Sequence, residues 1–309
     1  MAFRLRRSAP EVGRPGFGLL SYRHTTNLGD EIQSIASRAF LPQVDRLIDR
    51  DALDRRPQWV RRPLKVILHG WFTHCPERWP PHPAIEPLIL SLHLSDFIRG
   101  RGFSAAEALV TGENASYLRD HGPIGARDLW TLDLLQRNGI DSYFSGCLTL
   151  TLARPAASND EDCIVLNDLP EEIAQAVVRR THLRVESTTH ENTSLRGFRK
   201  RSLEAQRLLT LYASARCVIT SRLHCALPCL AMGTPVLLIP HLPSCIRFSG
   251  LLELTTHCTS AEFLAGNTDF DPDHPPANPQ RHLGLRTALM TRCAAYVSEG
   301  MRSPNSARS

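Results

Sequence analysis

Short apolar runs rich in β-branched residues alternate along this chain with longer segments whose apolar positions recur at helical spacing. Phe17–Tyr22, Val44–Ile48, Val66–Leu68 and Leu88–Leu94 read as strands. Between the first two, the turn Thr25 to Asp30 offers helix-capping side chains, and Glu31–Phe40 has helical composition. The proline-rich stretch Pro76–Pro87 is expected to form a loop or lid. Ile124–Ala126 predicts a short strand, Asp128–Asn138 an amphipathic helix closed by Gly139, and Ser142–Phe144 another strand. After the polar, turn-rich residues 153–162 the alternation resumes. Cys163–Asn167 and Leu183–Ser187 read as strands, and Glu171–Arg180 and Leu203–Ala215 as helices. A strand ending at Thr220, a helix-sized apolar run and a second strand beyond Gly233 and Pro235 follow, and Arg281–Val297 predicts a terminal helix.

This order predicts an α/β protein with two Rossmann-like domains, each a parallel sheet flanked by helices. Residues 1–15 are expected to be a flexible leader, 16–152 an N-terminal α/β domain, 163–280 a C-terminal one, and 281–309 a terminal helix and tail packing back across the domains. A length of 309 residues suits two domains. The net charge of +5 owes part of its excess to Arg4, Arg6 and Arg7, and no basic run is interleaved with aromatics, so nucleic acid is not expected as a partner. Nine cysteines without a Cys-x-x-Cys pair argue against a zinc ribbon and suit a reducing, cytoplasmic setting. No apolar run is long enough for a transmembrane segment. The glycine fingerprints of nicotinamide and ATP enzymes are missing, and no metal motif stands out, so neither a cofactor nor a metal is expected.

The most informative chemistry lies at Ser221-Arg222-Leu223-His224. An open α/β sheet binds ligands at the carboxyl ends of its strands. A guanidinium and an imidazole placed there, beside a helix N-terminus, suit an anion and a proton transfer. A surface Arg and a satisfied, half-buried His would fit the same spacing. Asn27, Gly29 and Asp30 form a turn in which Gly29 allows close backbone approach and Asp30 is a base or hydroxyl anchor; a plain capped helix start fits it equally. Arg127 and Asp128 stand at a strand end and a helix start. His69 and His93 end strands of the first domain, and His190 lies in a polar loop of the second. Cys147, in Ser145-Gly146-Cys147, has no recognisable activating environment for a nucleophile.

Asn27-x-Gly29-Asp30, Gly125-Ala126-Arg127-Asp128 with its helix and Gly139, and Ser221-Arg222-Leu223-His224 with Gly233 beyond it resemble the polysaccharide pyruvyl transferase family over roughly residues 17–240. The resemblance implies a GT-B-like pair of domains facing across a cleft, and transfer of pyruvate from a phosphoenolpyruvate donor to a sugar or glycan acceptor as a cyclic ketal. It implies donor contacts from Arg222, Leu223, His224 and Arg127. His224 and Asp30 are then the expected catalytic residues, with Ser221, Asn27, Gly29, His69 and His190 lining the substrate. A lipid-linked glycan would bring the protein into peripheral contact with a membrane. Where family members often carry Asp-Pro after the strand that ends the first domain, this chain has Gly146-Cys147-Leu148-Thr149. Two other functions fit the same residues: a GT-B-type nucleotide-sugar glycosyltransferase, and a catalytically inactive sugar-binding protein.

Overall fold

The computed structural model describes residues 15–58, 62–96, 98–99, 103–156, 160–242 and 244–301. All but residue 15 of the expected leader, and most of the expected tail, fall outside them. The strands are β1 (Gly16–Ser21), β2 (Arg46–Asp49), β3 (Leu64–Trp71), β4 (Ile85–His93), β5 (Ile98–Arg99), β6 (Phe103–Ser104), β7 (Ile124–Ala126), β8 (Ser142–Phe144), β9 (Asp160–Asn167), β10 (Arg184–Thr188), β11 (Ala215–Thr220), β12 (Val236–Leu238) and β13 (Thr256–His257). The α-helices are α1 (Gly29–Arg38), α2 (Ala105–Leu109), α3 (Gly112–Asp120), α4 (Leu129–Arg137), α5 (Glu171–Arg180), α6 (Phe198–Ser214), α7 (Leu223–Met232), α8 (Ser260–Ala265) and α9 (Leu283–Met301).

Two compact units result. One is built from the described residues up to His24, Ser34–Leu148 and the stretch from Thr287 onward; the other from Thr25–Gln33 and Thr149–Arg286. The first holds a parallel sheet of order β2-β1-β3-β4-β7-β8, the second a parallel sheet of order β10-β9-β11-β12-β13. The protein is thus a mixed α/β fold with two parallel sheets of Rossmann-like character. Strands β5 and β6 pair separately and antiparallel.

In the first unit β3 is buried along almost its whole length, as a strand covered on both faces must be. Its one charged residue, Lys65, is buried and satisfied: Nζ lies 2.9 Å from Glu86 Oε1 and 4.2 Å from the centre of the Tyr296 ring. Tyr296, on α9, also donates from its hydroxyl to Glu86 O at 2.5 Å, with Val66 O at 3.4 Å. The earlier residues of α9 belong to the second unit, where Arg286 donates to Ala231 O at 2.6 Å.

The stretch Pro76–Pro87 is only partly the expected loop. It holds a 3₁₀ turn over Pro76–Arg78, and β4 begins at Ile85, so Pro87 lies within a strand opposite Val66. Strand β7 joins β4 only at Leu92, so around Pro87 the strand has a single neighbour and a missing amide hydrogen is tolerated. No helix was expected over α2 and α3, whose short lengths hold too few turns to show a period. Asp128 caps α4, its Oδ1 accepting from the Thr131 amide at 2.9 Å.

Candidate functional site

In the second unit β11 lies in the middle of the sheet and hands the chain through Ser221 and Arg222 into α7. All ten residues of α7 are buried, which is why its sequence is apolar on every side. The helix ends at Gly233, whose φ of 78° belongs to the left-handed region and whose amide closes the last turn on Cys229 and Leu230. Its N-cap residue is Arg222, and no side chain caps the first turn. The positive end of the helix therefore stands at the carboxyl edge of the sheet without a side-chain cap.

Asp168, just past the end of β9, organises this edge. Its φ of 50° is unusual for a residue with a side chain. Its carboxylate accepts from Thr189 Oγ1 at 2.6 Å, the His190 amide at 2.9 Å and Arg222 Nε at 3.0 Å, while its carbonyl accepts from Ser221 Oγ at 2.5 Å. Arg222 Nη2 also donates to Glu191 Oε1 at 3.1 Å. The guanidinium is about one-third exposed and held in one orientation by two carboxylates. Among the described residues, the hydrogen bonds of the guanidinium run from Nε and Nη2, not from Nη1. Ser221 and Leu223 are buried, the first spent on Asp168 and the second on the core.

The segment Thr25–Gln33, expected in the first domain, packs in the second unit. Asn27 forms an antiparallel bridge with Glu191, the Leu28 amide donates to His190 O at 2.8 Å, and the Asn192 amide donates to Thr26 O at 2.7 Å. Asn27 Oδ1 accepts from the Gly29 amide at 2.9 Å, which starts α1. Gly29 does permit a close approach, but to the protein itself: a Cβ there would stand 3.0 Å from both Cβ and Nδ1 of His224. The structure thus brings Asn27, Gly29, Ser221, Arg222, Leu223 and His224 into one unit. Asp30, partly exposed, follows Gly29 directly; His224 is almost fully buried.

Beneath this segment lies an ion pair that no sequence motif singled out. Arg201, on α6, donates to Glu31 Oε2 at 2.8 Å and to the carbonyls of Thr25 and Asn27; both side chains are buried. Burial pushes the Glu31 carboxyl up to about 7 against the pull of Arg201, and the neighbouring Asp30 charge adds to the rise. His190 is fully buried, with Nε2 3.0 Å from the Tyr212 hydroxyl. Burial pushes its imidazole down to about 4, with Asp168 opposing and Arg222 reinforcing, so the ring is neutral near pH 7. It supports the loop rather than lining an open surface.

The remaining candidates lie in the first unit. Arg127 is 1% exposed, with Nε 3.5 Å from Asp128 Oδ2; Nε and Nη2 have no hydrogen-bond partner among the described residues. Asp128 Oδ2 lies 2.6 Å from His93 Nδ1. Burial would raise the Asp128 carboxyl, but the His93 hydrogen bond and charge, Arg127 and the Thr131 amide hold it below the usual range. His69 is fully buried, its Nδ1 3.5 Å from the Tyr22 hydroxyl, and burial drives its imidazole down to about 3. It is a neutral core residue. Cys147 is buried, and all nine cysteines are free thiols.

Asp168 and Arg201 were missed in the sequence, and Glu31 and Glu191 lay in candidate stretches without being given a role. Asp168 was within reach, since it follows a predicted strand at its carboxyl end. The others depend on contacts far apart in the chain. A cavity of about 420 Å³ lies elsewhere in the second unit, lined by Arg154, Arg216 and His274 among others, and contains none of the expected residues. It adjoins Ala215, where β11 begins, rather than the end that carries Arg222.

Residues 115–243 match the model of the polysaccharide pyruvyl transferase family. The match takes in Arg127, Asp168, His190, Arg201 and the whole β11–α7 turn, and leaves out the segment Asn27–Asp30. This part of the chain is therefore similar to the polysaccharide pyruvyl transferase family. Curated proteins give no match to the sequence. Among solved structures, a functionally uncharacterised protein from Klebsiella pneumoniae subsp. pneumoniae NTUH-K2044 is similar at 13% identity and a TM-score of 0.41, over 78% of this chain and 92% of that one. No helix among the described residues is long and apolar enough to cross a membrane.

Proposed function

We propose that the protein transfers pyruvate from phosphoenolpyruvate to two hydroxyls of a sugar, as a cyclic ketal, on a polysaccharide or glycan precursor. The supporting observation is the β11–α7 turn. Within the stretch that matches the pyruvyl transferase family, it sets a partly exposed, oriented guanidinium beside an uncapped helix N-terminus.

In this reading the donor's carboxylate or phosphate meets Arg222 and the first-turn amides of α7. C3 of phosphoenolpyruvate takes a proton, for which His224 is the proposed acid. One sugar hydroxyl attacks C2, phosphate leaves, and the second hydroxyl closes the ring. Asp30, beside Gly29 and partly exposed, is the proposed base or anchor for a hydroxyl. The Arg127 guanidinium is closed off from solvent, so donor binding is assigned to Arg222. A GT-B-like arrangement of the two units, a cytoplasmic location and contact with lipid-linked glycans belong to the same proposal.

Thermal unfolding in the presence of phosphoenolpyruvate or of UDP-sugars tests the donor. A ligand at ~100 times its Kd stabilises the folded state by about 2.7 kcal/mol, and only the donor should do so. Stabilisation by UDP-sugars alone would favour glycosyl transfer. A pyruvyl adduct on candidate glycans, detected by mass spectrometry with release of phosphate, completes the test. Sugar binding without phosphate release would leave an inactive binding protein.

A further inference from the structure

His93 is held between two partners in the first unit, and together they form an ordered relay. Its Nδ1 lies 2.6 Å from Asp128 Oδ2, and its Nε2 lies 3.1 Å from Ser95 Oγ. An ionised carboxylate only accepts, so the hydrogen on a neutral ring sits on Nδ1 and points at Asp128. Nε2 is then the acceptor, and the Ser95 hydroxyl is its donor. Asp128 is fully buried and fixed by the Thr131 amide at 2.9 Å. Thr131 in turn accepts from the Leu94 amide at 3.0 Å, between His93 and Ser95. The Arg127 amide donates to Leu92 O at 2.8 Å, which ties the end of β4 to the end of β7. Imidazole and carboxylate are thus buried and cross-braced, while Ser95 is partly exposed.

We propose that Ser95, His93 and Asp128 form a second catalytic site, in which Ser95 is a nucleophile toward carboxylic esters. The order of parts is that of acyl-transfer chemistry: the hydroxyl of a partly exposed residue, a base behind it, and a buried carboxylate that fixes the tautomer of the base and stabilises its charged form. Ser95 Oγ bonds to the acyl carbon as its proton passes to His93 Nε2, and the ester C–O bond breaks as that proton moves to the leaving alcohol. Water then repeats the sequence. Its oxygen bonds to the acyl carbon, its proton goes to Nε2, and Ser95 recovers a proton as the acid departs. The net reaction consumes one ester and one water and yields one acid and one alcohol. It does not depend on the pyruvyl-transfer reading, and the β11–α7 residues take no part in it.

The test is treatment of the full chain with a fluorophosphonate probe, with the adduct located by tandem mass spectrometry and 4-nitrophenyl acetate hydrolysis followed in parallel. The expected result is a single adduct on Ser95 and esterase activity that Ser95→Ala abolishes. His93→Gln should slow labelling by ~10²–10⁴, the usual contribution of a general base. Because His93 is buried, its variant is compared only when its circular dichroism matches the parent; the adduct site on the unmodified protein is decisive without it. No adduct on Ser95, or labelling spread over several serines and indifferent to Ser95→Ala, would overturn the proposal and leave the three residues as a structural brace.

Discussion

The main chain at Gly29 lies directly against the His224 side chain. A Cβ at residue 29 would come within 3.0 Å of His224 Cβ, His224 Nδ1 and Asn27 Oδ1. Gly29→Ala should therefore destabilise the protein by ~1–3 kcal/mol through overpacking, despite the better helix propensity of alanine. That corresponds to a few degrees in Tm at roughly 2–4 °C per kcal/mol. If His224 serves in catalysis, turnover should fall further than the loss of stability accounts for. Thermal unfolding and kcat measured on the same preparation separate the two effects, and an unchanged Tm would show that the contact yields easily.

His224→Gln keeps most of the volume of the ring and removes its proton exchange. Phosphoenolpyruvate-dependent turnover should drop by ~10²–10⁴ with little change in donor affinity. Near-normal kcat would remove His224 from the proposed mechanism.

Glu191 competes with any incoming anion for Arg222, since its Oε1 already takes a hydrogen bond from Nη2. An exposed pair of this kind contributes ~0.2–1 kcal/mol. Glu191→Gln should accordingly tighten phosphoenolpyruvate binding by up to about five-fold, read by calorimetric titration. Weaker binding would mean that Glu191 positions Arg222 more than it obstructs it.

Glu31 sets a pH dependence opposite to that of most carboxylates. Its folded pKa is raised from 4.5 to about 7, so between these values the folded state holds a proton that the unfolded state releases. Its contribution to stability is present in full below the lower value and is lost as pH rises to the upper one. Relative to Glu31→Gln, the parent protein should lose on the order of 3 kcal/mol across that window. Urea unfolding of both proteins below about pH 5 and above about pH 7 checks the sign. A constant difference between them would show that Arg201 keeps Glu31 ionised throughout.

Tyr296→Phe removes the hydroxyl that donates to Glu86 O and leaves the ring under Lys65 in place. The loss should be about 1 kcal/mol, or roughly 2–4 °C in Tm, with no effect on donor binding. A change in donor affinity would contradict a purely structural role.

The elements most legible in the sequence are those marked by their own punctuation. Strand β7, helix α4 and strand β8 stand at or within a residue of the expected positions because Asp128 and Gly139 signal the helix ends locally. Helix α5 was expected over the same residues that form it. The cation and imidazole after β11 were visible for the same reason. What could not be read was partnership. The turn at Asn27 was recognised, but nothing in its neighbourhood says that it packs with His190, Arg201 and His224, residues far along the chain. His69 and His190 were expected in the site because both follow predicted strands; their burial beside Tyr22 and Tyr212 is what the local sequence does not place. Pro87 was read as loop because prolines seldom sit in strands, and the local absence of β7 is what admits it.

The threading of Thr25–Gln33 bears on how a ribosome could deliver this molecule. The segment is made well before its partners, Glu191, Arg201 and His224, and must wait for them. The first unit, in turn, is completed by residues beyond Thr287. The second unit cannot finish folding before the residues up to Arg286 are made, nor the first before those from Thr287 onward, so the two should reach their native states close together. A fragment cut at the polar stretch near residue 157 would take the hydrogen-bonded partner of His190 away from the second unit and Tyr296 away from the first, so the two halves should fold better when expressed together than apart.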